Sequence, residues 1–117
     1  INELLRKSNE KEIFFVGTKH FGYNLNWILR INKDNRGMLR NDIIDEAIEE
    51  EKFLKSIVPE ANFISYIDIL SIDNKILITN EEGNLISDDR THLTLSGAKF
   101  VGENVFKKHR LSEFLFN

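Results

Sequence analysis

Two apolar segments, separated by a segment with helical periodicity, constrain this chain more than anything else in it. Ile13-Phe14-Phe15-Val16 is an unbroken apolar run that ends at Gly17. An unbroken run, rather than an alternating one, is what a strand covered on both faces of a sheet requires. Phe63 to Leu70 reads as a second core strand. Between them, residues 41–58 read as a helix. Asn41 stands as its N-cap, and Asp42, Asp45 and Glu46 fall in the first turns, where the helix dipole favours negative charge. Ile44, Ala47, Ile48, Leu54 and Val58 form its apolar stripe, and Pro59 stops it. Strands alternating with helices predict an α/β domain whose parallel sheet lies between helices.

The flanking segments complete the order. Residues 2–9 read as the tail of an amphipathic helix, with Leu4 and Leu5 on its apolar side. Residues 17–40 are long and polar, which in a small domain points to a functional or partly helical stretch; Leu25 to Ile31 is the segment that suits a short helix. Lys75–Thr79 and Leu85-Ile86 read as a hairpin turning at Glu82-Gly83. Thr94 caps a last helix with Ala98, Val101 and Val105 inward, and Lys107, Lys108, His109 and Arg110 give it the charge sign a C-terminus favours. Two long core strands are few for a complete sheet of this kind.

Composition narrows the function classes. The 117 residues suit one domain. Sixteen Lys and Arg against nineteen Asp and Glu leave a net charge of -3 with no dominant basic face, so nucleic-acid binding has no electrostatic support. The absence of cysteine removes disulfides and thiolate metal sites. No apolar run approaches the roughly 20 residues that span a bilayer.

The chemistry concentrates in Ser87-Asp88-Asp89-Arg90-Thr91-His92-Leu93-Thr94-Leu95-Ser96-Gly97-Ala98. Asp89 precedes His92 by three residues in a loop leading into the last helix. A histidine acting as general base presents one ring nitrogen to a nucleophile while the other is held by an acceptor, and a carboxylate one turn earlier supplies that acceptor locally. Asp-x-x-His alone also occurs in solvated loops that merely lead into a helix.

The longer string, Asp89-x-x-His92-Leu93-Thr94-x-x-Gly97-Ala98-Lys99, resembles the last sequence block of SGNH (GDSL-like) hydrolases. More narrowly, it looks like the SGNH domains fused to membrane acyltransferase-3 modules in bacterial surface-polysaccharide O-acyltransferases. The Ile67-Asp68-Ile69-Leu70 segment, Gly83-Asn84-Leu85-Ile86-Ser87 and Val16 to Asn24 look similar to that family too. The resemblance implies a three-layer, flavodoxin-like fold of which residues 1–117 are the C-terminal part. It implies Asp89 and His92 as two members of a catalytic triad, and acyl transfer to or hydrolysis from a carbohydrate hydroxyl. It implies no cofactor and no metal, an acyl donor and a carbohydrate acceptor as partners, and a membrane-attached parent with this domain on the periplasmic or extracellular side.

One departure stands out. The family's nucleophile sits in a Gly-Asp-Ser block, and this sequence has none; Ser8, Ser56, Ser65, Ser71, Ser87, Ser96 and Ser112 lie in other contexts. The serine and most of the oxyanion hole are therefore expected from an N-terminal remainder of the same domain. Gly22 with Asn24 is the alternative oxyanion pair. His20 and Asn24 are candidate substrate contacts because they follow a strand end, where α/β proteins bind ligands. Trp27, Tyr23 and Phe21 suit either an acyl or sugar pocket or the core. Glu49-Glu50-Glu51 reads as a solvated helix face, and Asp68 as a carboxylate pointing out at a strand end. Two other functions stay open: a metal-dependent hydrolase using His20, Asp89 and His92, and a non-catalytic carbohydrate-binding or structural module of the same fold.

Overall fold

The computed structural model describes Glu3 and residues 13–109. Its first strand, β1 (Phe15–Val16), pairs in parallel with a later one, Phe63–Ile64, with Phe15 opposite Phe63 and Val16 opposite Ile64. The Gly17 N–H continues the ladder by donating to the Ile64 carbonyl at 2.8 Å. The two apolar segments thus do meet as parallel neighbours, but β1 is not covered on both faces as expected: Val16 is exposed. They are joined by a crossover that contains helix α1 (Asp45–Ile57), as parallel pairing demands.

The sequence expectation erred at the start of that helix. Asn41 does not cap it; β2 (Arg40–Asp42) holds Asn41 in extended conformation, and α1 begins only after Ile44. The Asn41 amide is occupied elsewhere, donating to the carbonyls of Phe21 at 3.4 Å and Tyr23 at 3.2 Å. On α1 the buried side is Ala47, Glu51 and, just beyond the helix, Val58, while Ile48 is exposed. Glu51 is therefore not part of a solvated acidic face, although Glu49 and Glu50 are. It is 5% exposed and accepts a short hydrogen bond from the Ser65 hydroxyl at the end of β3 (Phe63–Ile64).

The second apolar segment is a strand for two residues only. Ser65 ends β3 and caps helix α2 (Tyr66–Leu70), its hydroxyl accepting from the Asp68 N–H at 3.0 Å. A serine that satisfies an orphan helical N–H favours this switch. Ile67 and Leu70, three apart, then face the core, and Asp68 turns outward to Lys55 at 2.7 Å.

The chain next forms an antiparallel sheet that the sequence did not predict. Its order is β2, then β5 (Lys75–Leu77), then β4 (Ser71–Ile72). Asp73 and Asn74, at φ 53° and 62°, turn β4 into β5; positive φ at both central residues is the turn whose twist matches a hairpin. The predicted hairpin follows. Thr79 bridges to Leu85, the Ile86 N–H donates to Ile78, and Gly83 takes the tip at φ 85°. The fold is thus mixed α/β, with a two-stranded parallel sheet and a three-stranded antiparallel one.

Phe21, Ile28, Leu70, Ile76, Leu77, Ile78, Ile86 and Val101 make the core. Trp27 packs against it, Phe21 lies inside it, and Tyr23 is exposed. Asn26–Arg30 forms the expected short helix, as a 3-10 turn. The last helix, α3 (Leu95–His109), packs on α2. Ala98 is exposed, and Gly97 takes the inward place beside Val101. Apart from Glu3, the expected N-terminal helix over residues 2–9 lies outside the described residues, as do the side chains of Lys108, His109 and Arg110. Among the described residues, no helix is long and apolar enough to cross a membrane.

Candidate functional site

The segment between the hairpin and α3 is shaped by its own hydrogen bonds. Ser87 bridges to Leu93, closing residues 88–92 into a loop. Arg90 takes φ 77° within it, a conformation non-glycine residues rarely adopt. With the chain so turned, Asp89 Oδ1 accepts from the backbone N–H of His92 at 2.7 Å and of Thr91 at 3.0 Å, and from the Ser87 hydroxyl at 3.3 Å. Asp89 Oδ2 then stands 2.6 Å from His92 Nδ1. Between an anionic carboxylate and a ring nitrogen, a contact this short places the proton on nitrogen. The Thr91 hydroxyl lies 3.3 Å from the same Nδ1.

The electrostatics follow from these contacts. The His92 N–H, the Thr91 N–H and then the His92 ring hold the Asp89 carboxyl well below the usual carboxylate range. Asp89 thus stays anionic at neutral pH. A neutral His92 with Nδ1–H donated to Asp89 carries its lone pair on Nε2, and the side chain is 80% exposed. An exposed imidazole with its tautomer fixed from behind can take a proton from a hydroxyl in front of it.

Two supports hold the loop. On one side the Phe21 N–H donates to the Arg90 carbonyl at 2.8 Å, tying the loop to the chain leaving β1. On the other, Thr94 Oγ1 accepts from the Gly97 N–H at 2.9 Å and donates to the Leu85 carbonyl at 2.5 Å. Thr94 therefore caps α3, as expected from the sequence, and stitches its start to the hairpin.

Neither His20 nor Asn24 makes a hydrogen bond or ion pair to His92. Asn24, Leu25 and Asn26 share with Asp88, Asp89 and Arg90 an open pocket of about 290 Å³. The Asn24 carboxamide oxygen is held by the Asn26 N–H at 2.7 Å, and the Gly22 N–H donates to His20 Nδ1 at 3.1 Å. With its N–H already donated to His20, Gly22 offers no second donor beside Asn24 for an oxyanion. Nor does His20 join Asp89 and His92 as a metal site; among the described residues, no three His, Cys, Asp or Glu gather as one. The sequence offered no sign of the roles of Ser87 and Thr91 behind Asp89; a hydroxyl two residues on either side of a carboxylate is too common a pattern to single out.

His20 carries a pH prediction. Burial, then the Arg90 charge, lower its pKa below the ordinary 6.5, with Glu46 opposing. The unfolded chain then binds the proton more readily, so the stability contributed by neutral His20 is lost as pH falls through 6.5 toward the lowered folded value. Urea denaturation at pH 7 and pH 5 is expected to show a shallower loss on acidification in His20→Gln than in the unchanged protein.

Comparison with family models, curated proteins and solved structures returns no match.

Proposed function

We propose that this chain supplies the acid–base half of a serine acyl-ester hydrolase or O-acyltransferase of SGNH type. The 2.6 Å contact between Asp89 Oδ2 and His92 Nδ1, on a carboxylate already fixed by two backbone N–H groups, carries the proposal. In this account residues 1–117 are the C-terminal portion of a three-layer, flavodoxin-like domain, and the nucleophilic serine comes from its N-terminal remainder.

His92 Nε2 takes the serine proton as the serine oxygen attacks the acyl carbonyl. It then returns that proton to the departing alkoxide, leaving an acyl-serine. In the second half, the same nitrogen deprotonates a carbohydrate hydroxyl in a transferase, or water in an esterase. Asp89 stabilises the imidazolium in both halves without taking the proton. The parent would be membrane-attached, with this domain on the periplasmic or extracellular side.

Short-chain aryl esters test the assignment. The 117-residue chain is expected to turn over none. The chain joined to a nucleophile-bearing half is expected to do so, and to be silenced by a serine-directed fluorophosphonate. Turnover by the 117-residue chain alone, blocked by the same reagent, would contradict the division of the triad.

A further inference from the structure

A second feature lies along α3, on ground the dyad does not use. The tip of the hairpin leans over the helix and leaves an open groove of about 490 Å³, lined on the hairpin side by Asn80, Glu81, Glu82 and Asn84. Its helix side runs from Ser96 through Lys99, Phe100, Glu103 and Asn104 to Lys107. Ser96 follows His92 by four residues, so the groove begins beside the dyad's loop. At 1.5 Å rise per residue, Ser96 to Lys107 spans about 16 Å.

Its chemistry narrows what can lie there. Three glutamates and two lysines line it, so the walls carry a net charge of only one. A phosphate chain or another polyanion would gain little. The lining is more polar than apolar, and an acyl chain would find no apolar depth. Much of the polar capacity is open. Lys99 and Glu103 make no ion pair or side-chain hydrogen bond among the described residues, and the Asn104 amide spends only its nitrogen, on the Phe100 carbonyl at 2.7 Å. Half-buried Phe100 supplies one apolar surface. Amides, a hydroxyl, balanced charges and one aromatic ring in a long shallow trough match a neutral oligosaccharide, which offers hydroxyls to pair and C–H faces to pack.

We infer that this groove binds a stretch of neutral glycan and leads it toward the Asp89–His92 loop. The inference deepens the proposed function by giving the acceptor a track, and rests on that reading only for the direction of travel. Binding itself needs no turnover, so groove and dyad can fail separately.

Amide chemical shifts of the 15N-labelled chain, titrated with maltohexaose, with N-acetylglucosamine tetramer and, for contrast, with heparin hexasaccharide, test it. At least one neutral oligosaccharide is expected to shift residues 80–84 and 96–104 saturably in the millimolar range. Glu103→Ala and Lys99→Ala, exposed positions where alanine favours the helix, are expected to weaken that binding fivefold or more. Shifts with heparin alone would make the groove an anion site and overturn the inference. So would no shift with any probe, or shifts unchanged in both variants.

Discussion

Replacing Asp89 by Asn, in the protein that carries the nucleophile, is expected to lower kcat on an acyl ester by on the order of ten-thousandfold, the loss a carboxylate-to-amide change causes in a Ser-His-Asp triad. The loop itself should survive. The Asn carbonyl oxygen can replace Asp89 Oδ1 as acceptor for the Thr91 and His92 N–H groups and the Ser87 hydroxyl. At the other position, however, an NH2 group would face His92 Nδ1 where Oδ2 now accepts. Two donors cannot share a hydrogen bond, so the ring must put its proton on Nε2 and lose its basic edge. A urea midpoint close to that of the unchanged protein, together with the loss of kcat, is the expected pair of results. If Asp89 served only to shape the loop, activity would remain nearly intact. Asp89→Ala removes the acceptor for both backbone N–H groups, so it should cost stability as well as rate.

The second large effect is expected at Gly97, and it is one of stability. A Cβ built there would stand 2.0 Å from the Ile86 carbonyl oxygen and 2.7 Å from the Ile86 carbonyl carbon and Cα. Those are backbone atoms of the hairpin, so no side-chain rotation relieves the clash. Overpacking of this kind costs about 3 kcal/mol, at the upper end of its usual range, against a gain of about 1 kcal/mol from alanine's helix propensity. Gly97→Ala should therefore be destabilising by about 2 kcal/mol in urea denaturation. Gly102 sits in the same helix with nothing within 4 Å of its Cβ position. Gly102→Ala is expected to stabilise by about 0.5–1 kcal/mol. Opposite signs in one helix would show that the contact with Ile86, rather than helix propensity, dictates glycine at position 97. Because Leu93 and Thr94 link Ile86 to His92, Gly97→Ala should also slow any reaction that uses the dyad.

These two positions mark what a sequence can and cannot show. Asp89, His92 and the Thr94 cap are legible because their interactions are local, within a few residues along the chain. The parallel meeting of β1 and β3 was legible because two short apolar segments joined through a helix pair in parallel, though the exposure of Val16 on β1 was not. Asn41 was misread because β5, which captures it as a strand, comes much later in the chain, and a side chain suited to capping serves equally well to hold the Phe21–Tyr23 loop. Glu51 looked like one more surface glutamate, since only the folded chain brings the Ser65 hydroxyl to it. Gly97 reads as a weak point in a helix until Ile86 is placed against it. The short turn at Asp73-Asn74 went unread, although two small polar residues in sequence suit a hairpin turn, because its strands β4 and β5 are only two and three residues long.

The proton on the His92 ring decides the central claim. A long-range 1H–15N correlation spectrum of the 15N-labelled chain, at a pH where the ring is neutral, distinguishes the two tautomers, with His92→Gln giving the assignment. Nδ1 protonated and Nε2 bare is the expected result, because Asp89 Oδ2 stands 2.6 Å from Nδ1. A ring protonated on Nε2, or exchanging evenly between the two forms, would mean that Asp89 does not hold His92 as a base.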